Sequence, residues 1–318
     1  MMDYLDLFGQ TFYHRFDVKM QASKDVTLDA WPCAIIRNNL LYAAEQVRIQ
    51  KTNKSLREQI DTFPLNNDHP LYKELKDGFP KGYVLTDFSH ADISDRKVFI
   101  RKDEIFTFSL LLIGRFNEYR YYFFEAIREM CERGIGKPLT SFRLLDISEN
   151  PVSPVSFSDF LQQETIEKKI EIIINFQTPV ILYRLREKKN SQISFQNKLN
   201  RFPSFYQLVR SAFSRLQKIY ALYIEPEDYT STLFEETHLE TYLEKAGKPL
   251  LLSANIQHVR LLNTQKQGAK NEIPLAGYTG EQKYSGYFQK YLSLLKFMAE
   301  LGVGNETVYG MGRYCIEE

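Results

Sequence analysis

An α+β protein made of two tandem βαββαβ units is what this 318-residue sequence predicts. The order strand, helix, strand, strand, helix, strand is readable once before residue 150 and again after residue 165. Between the two, ENPVSPVSFSDFLQQET (149–165) is rich in Pro and Ser and lacks periodicity, the signature of a linker. An internal echo supports the duplication: FEAIREMCERGIGKPLTSFRLLDI in the first half parallels KFMAELGVGNETVYGMGRYCI in the second, each a helix, a Gly-apolar-Gly triplet and a strand. The expected organisation is therefore an N-terminal ferredoxin-like (RRM-like) domain over 1–150, a linker over 151–165 and a C-terminal ferredoxin-like domain over 166–318.

Each element has its own signal. Tyr13 to Met20 alternates as a strand, and Pro32 sits at the start of a helix carrying Ile35, Ile36, Leu40, Ala43 and Val47. A short helical piece is expected around Ser55 to Ile60 and a second strand near Gly82 to Phe88. Val98 to Leu112 reads as one long strand with a charged turn or bulge at Lys102–Glu104. Phe116 to Arg133 is an amphipathic helix stopped by Gly134-Ile135-Gly136, and Ser141 to Ile147 is the next strand.

In the second half, Lys169 to Phe176 is an apolar strand ended by Thr178-Pro179, and the polar run Glu187 to Asn200 is a loop. Phe202 to Tyr223 is a long helix, Leu250 to Leu262 a strand, and Ile273 to Gly286 a turn-rich strand pair. The last helix should bury Phe288, Tyr291, Leu292, Leu295 and Met298, and expose Gln289, Ser293, Lys296 and Glu300.

Bulk composition excludes several classes. The net charge of +1 argues neither for nor against a nucleic-acid partner, because only the placement of basic residues on one face would decide it. The three cysteines (Cys33, Cys131 and Cys315) are far apart and lack CxxC spacing, so neither a disulfide framework nor a zinc site is indicated. No metal site and no cofactor is expected. No apolar run reaches membrane-spanning length and the N-terminus lacks a signal pattern, so a cytoplasmic protein without membrane contact is expected.

The chemistry-bearing stretch is GVGNETVYGMGRY, in which Gly302, Gly304, Gly310 and Gly312 form the pattern G-h-G-x5-G-h-G (h being apolar). Such a loop lets backbone N–H groups point outward together toward an anion. With LAGYTGEQKYSG before the final helix, and LLIGRFNEYRYYFFEAIREMCERGIG in the first half, this pattern resembles the CRISPR-associated repeat-processing endoribonucleases of the RAMP superfamily over nearly the whole chain.

That resemblance implies an enzyme that binds the repeat of a CRISPR precursor transcript and cuts it without a metal ion. The 2′-hydroxyl attacks the adjacent phosphate, leaving a 2′,3′-cyclic phosphate and a 5′-hydroxyl. It also implies that Gly302, Gly304, Gly310 and Gly312 lie along the RNA backbone. Asn305, Thr307 and Arg313 would add contacts to phosphate or sugar, and Lys283 and Arg260 are further phosphate candidates.

Members of that family often supply a catalytic tyrosine and histidine from the region of the first helix. Tyr42 matches the tyrosine, but no histidine follows it, and Lys51, Lys54 and Arg57 occupy the region instead. The candidate catalytic set is Tyr42, Lys54 and Arg57, with His14 or His69 as replacements for the histidine. The missing histidine keeps a rival open: a repeat-RNA-binding protein without cleavage, a subunit of an effector complex with other CRISPR proteins as partners.

Overall fold

The computed structural model describes residues 8–28, 31–63, 79–89, 98–150, 153–161, 168–182, 203–224, 249–261 and 275–318. The first unit holds β1 (Phe12–Ala22), β2 (Val26–Leu28), α1 (Pro32–Ala44), α2 (Leu56–Thr62), β3 (Tyr83–Thr86), β4 (Val98–Ile100), β5 (Ile105–Ile113), α3 (Arg120–Arg133) and β6 (Phe142–Glu149). A short β7 (Val155–Ser156) follows. The second unit holds β8 (Ile170–Val180), α4 (Phe205–Ile219), β9 (Leu250–Leu261), β10 (Leu275–Gly286), α5 (Gln289–Leu301) and β11 (Tyr314–Glu317).

The two main sheets run β3-β5-β1-β6 and β11-β8-β10-β9, with every pairing antiparallel. Numbered within each unit, both sheets have strand order 4-1-3-2, the ferredoxin-like arrangement, in which two βαβ halves interlock. The internal echo is structural as well: Gly134 and Gly136 after α3, and Gly302 and Gly304 after α5, all take left-handed φ values of 96°, 80°, 77° and 80°.

Local chemistry sets the helix starts. Ser55 and Glu58 form a reciprocal capping box on α2, and Ser204 with Gln207 does the same on α4. Trp31 precedes α1, whose first helical residue is proline.

Several expectations are corrected. Val98–Leu112 is two strands, because the chain turns at Asp103 (φ 63°). There the Arg101 N–H is held by the Glu104 carboxylate, and the Lys102 N–H by Asp25. β4 consequently leaves the main sheet and pairs with β2. The stretch before α3 is a 3-10 turn, Gly114–Tyr119.

Pro179 does not end β8. Its partner β10 shifts register between Tyr278 and Gly280, which accommodates the missing N–H. Residues 275–286 form one continuous strand, paired on both sides, rather than a strand pair. Within the stretch read as a linker, β7 pairs with β1, and Phe157 is fully buried.

α5 explains another difference. Ser293 is buried, as are Leu294 and Phe297, so the helix has scarcely any solvent face. It is wedged between its own sheet and the first unit. Phe297 meets Phe157, Phe160 and Tyr13 at ring separations of 5.3, 5.6 and 5.9 Å. Removing that ring leaves a cavity at the junction, so Phe297→Ala is expected to cost about 3–5 kcal/mol. Chemical denaturation of the variant against the parent checks this.

Candidate RNA-binding and cleavage site

The glycine-rich loop joins α5 to β11 and rests on the first unit. Its glycines at 302, 304, 310 and 312 have φ values of 77°, 80°, 69° and 80°. Gly310 faces α1: a β-carbon there would stand 3.0 Å from Cys33 Sγ and 3.2 Å from the Leu85 carbonyl oxygen. At Gly312 it would collide with the Val303 carbonyl oxygen.

The loop's backbone donors are largely engaged inside the chain, contrary to an outward anion cradle. Val303 N–H donates to Gly312 O, Asn305 N–H to Ile181 O and Gly312 N–H to Pro179 O, each at 3.0 Å. Gly310 N–H donates to Thr307 O, and Arg313 N–H to the Thr178 hydroxyl. The glycines therefore close and dock the loop, and what faces the adjoining cleft is the shoulder Gly304–Val308.

Three side chains, Trp31, Arg37 and Arg313, fix the docking. The Trp31 indole donates to the Tyr309 carbonyl at 2.7 Å. Arg37 Nη1 donates to the Tyr309 hydroxyl at 3.0 Å, with its guanidinium 4.3 Å from the Tyr309 ring centre. Arg313 reaches back to β3: it bonds the Thr86 hydroxyl, pairs with Asp87 at 3.2 Å and lies 3.8 Å from Glu300.

Arg15 joins the same network through Asp17 (3.0 Å) and Asp87 (3.1 Å). Burial works against the charge on Asp17, but hydrogen bonds from Asn150, Ser109 and Arg15 outweigh it and hold its carboxyl below the usual range. Arg313, expected at the RNA, is thus mostly buried and committed to the junction.

Beside the loop lies a cleft of about 450 Å³ between the two units. Phe79, Pro80 and Lys81 form one wall, a face of α4 the other, and Asn305, Glu306 and Thr307 line it from the loop. Lys81 Nζ is 3.5 Å from Asp61, donates to the Ile60 carbonyl and lies 4.1 Å from the Phe79 ring centre. Burial pushes its pKa down; Asp61 opposes this, and the nearby Arg37 adds to it. Arg37 Nε is buried without a partner. Among the described residues Asp61 is the carboxylate that meets Lys81 and none is within ion-pair distance of Arg37, an arrangement that suits a phosphate.

The sequence candidates fall in different places. Asn305 and Thr307 are on the cleft. Arg57 is not on the cleft lining; it is paired with Glu45 and with Asp61, the partner of Lys81. Lys54 is exposed beside the α2 cap. Tyr42 faces elsewhere: it is 55% exposed, with the Arg133 guanidinium 3.8 Å from its ring centre, in a recess with Asn39, Met130 and Leu139.

His14 is bonded to Glu149 at 2.5 Å and stacked on Phe16, away from the cleft lining; His69 lies outside the described residues. Lys283 pairs with Glu171 at 2.7 Å on the open face of the second sheet, where Glu281 and Glu317 add further negative charge. Arg260 is exposed on edge strand β9, opposite Ala276. Arg37, Lys81 and Tyr309 were not singled out from the sequence. Arg37 was the one available signal, a lone charge in the apolar run CAIIRNNLLYAA.

Among the described residues no group of three or more His, Cys, Asp and Glu side chains is placed to hold a metal ion. No described helix is long and apolar enough to cross a membrane.

Comparison with known proteins matches both halves. A family model described as an N-terminal domain covers residues 10–169, and that of the CRISPR-associated endoribonuclease Cas6 covers residues 174–314. The C-terminal unit is thus similar to the Cas6 family. Among solved structures, a Cas6 product complex aligns at TM-score 0.56 and 16% identity, over 96% of this chain and 100% of that one. A second Cas6 product complex aligns at 0.52 and 14%, over 96% and 100%. A chain of a partial Cas6-RT-Cas1–Cas2 complex aligns at 0.60 and 10%, over 97% of this chain and 46% of that one. At these identities the likenesses show the fold. No curated protein matches.

Gly310→Ala should destabilise the fold, because it combines a left-handed φ with a contact on Cys33. The strain alone amounts to about 1–3 kcal/mol. A lowered melting temperature, with a smaller loss in a Gly310→Ala, Cys33→Ala double variant that opens the space, would confirm the cause.

Proposed function

We propose that the chain is a metal-independent endoribonuclease that cuts CRISPR precursor RNA within the repeat. The observation that carries this reading is the cleft lined by Lys81, Asn305 and Thr307, with Arg37, bonded to Tyr309, close enough to act on the Lys81 charge. The match of residues 174–314 to the Cas6 family model and the likeness to Cas6 product complexes support RNA as the substrate. Likeness to a chain of the Cas6-RT-Cas1–Cas2 complex supports association with other CRISPR proteins. In this reading residues 1–150 form the catalytic domain and 166–318 the domain that brings the glycine loop.

The scissile phosphate lies between Lys81 and the Arg37–Tyr309 pair. The 2′-oxygen bonds to phosphorus as its proton leaves to water, the bond from phosphorus to the 5′-oxygen breaks, and Lys81 hands a proton to that oxygen. Products are a 2′,3′-cyclic phosphate and a 5′-hydroxyl. Arg37 holds the charge of the five-coordinate intermediate, and the Tyr309 hydroxyl, accepting from Arg37, keeps its own proton available for a phosphate oxygen. Asp61 orients Lys81. Tyr42, Lys54 and Arg57 take no part in the bond changes.

Incubating the protein with its repeat RNA in EDTA tests the reading, beside RNA carrying a 2′-deoxy nucleotide at the cut. Cleavage of the native strand alone is expected. Binding of both without cleavage would instead support the second reading, a repeat-RNA-binding subunit. That reading draws on the lack of a histidine among the described residues lining this cleft.

Lys81→Ala should slow cleavage by about 10²–10⁴-fold, the usual worth of a general acid. The protonated form acts, and burial lowers the folded-state pKa. The rate should therefore fall as pH rises through a midpoint below the ordinary lysine value of about 10.4. Lys81→Arg should remove that alkaline limb, which a pH–rate profile reads directly.

A further inference from the structure

We infer that α4 carries a second phosphate site, which holds the RNA backbone against the C-terminal wall of the cleft beside the scissile position. The inference rests on the RNA-cleavage reading and adds a binding role for a helix to which neither the glycine pattern nor that mechanism assigns one. Ser211, Ser214, Arg215 and Lys218 line the cleft. Their spacing of three, four and seven residues puts them on one stripe of the helix, facing the loop shoulder.

Arg215 is the anchor of this stripe. It is 8% exposed and its Nη2 donates to the Leu301 carbonyl at 3.3 Å, at the end of α5, while its Nε has no hydrogen-bond partner. Burial lowers its pKa to about 10, so it is still a cation at neutral pH. A desolvated cation with an unused donor, flanked by two hydroxyls and Lys218, has the chemistry of an anion site. With Lys81 on the opposite wall, the cleft carries positive charge on both sides, so a strand of RNA entering it meets a cation from each unit.

One lining residue opposes this charge. Glu306 sits at the loop shoulder in a left-handed conformation (φ 59°) and brings a carboxylate to the same cleft. A phosphate on α4 is repelled by it, so the two residues make opposite predictions. Lys218→Ala should weaken binding, and Glu306→Gln should strengthen it.

The test measures binding of a 2′-deoxy, uncleavable repeat RNA as a function of salt, for the parent, Lys218→Ala, Ser214→Asp and Glu306→Gln. Melting temperatures confirm that each variant is folded. Lys218→Ala is expected to lower affinity and make the salt slope shallower by about 0.7, one phosphate contact on a single strand. Ser214→Asp is expected to lower affinity, and Glu306→Gln to raise it. A parent that fails to bind the RNA overturns the RNA reading and this inference together. A parent that binds, with affinity and slope unchanged in Lys218→Ala and Glu306→Gln, overturns the α4 site alone.

Discussion

The protein depends on one docking event: the loop of the second unit, from Tyr309 to Arg313, seats on α1 and the β3 end of the first. Trp31 grips the Tyr309 carbonyl, Gly310 lies against Cys33, and Arg313 is held by Thr86, Asp87 and Glu300. Apart from the Arg313–Glu300 pair, all of these contacts cross from one unit to the other. The cleft with Lys81 on one wall and α4 on the other is a by-product of that seating, so the geometry available for phosphate chemistry is only as good as the junction. Tyr223 reinforces it from the other side, donating to the Pro80 carbonyl at 2.7 Å, next to Lys81.

Charge is distributed accordingly. With 41 basic and 40 acidic side chains, the molecule has no surplus to spread over its surface. Arg15 and Arg313 are spent on Asp17, Asp87 and Glu300 inside the junction. The open face of the second sheet sets Glu171, Glu281 and Glu317 against Lys283. Among the described residues the inter-unit cleft, with cations that burial has stripped of water, is a place where a phosphate gains. A globally neutral protein can still concentrate positive potential where walls of low polarity focus it.

The fold was largely legible in the sequence because each of its signals is local. Alternation marked β1, Pro32 marked the start of α1, and the repeated Gly-apolar-Gly triplet marked the duplication. What failed needed a partner to be seen: the departure of β4 to pair with β2, the run of β8 through Pro179, and the burial of Ser293.

The site was harder to read for the same reason. Tyr42 and Arg37 lie on one helix, five positions and so about 140° apart. α1 is apolar on most of its circumference, so its sequence does not say which face meets the loop. Resemblance pointed to Tyr42, and the docking points to Arg37. The glycines lie in the loop that docks on the first unit, and its backbone donors turn inward to close it rather than outward to an anion.

The hydrogen bond from Trp31 to Tyr309 joins residues 278 positions apart. Contacts of such long range form late, since the loop they close costs entropy before any packing repays it. Each ferredoxin-like unit can form its sheet from nearer neighbours, whereas the cleft waits for both. A chain whose units have not yet docked therefore has sheets and helices but no inter-unit cleft, and the proposed capacity to act on RNA arrives with the last step of assembly.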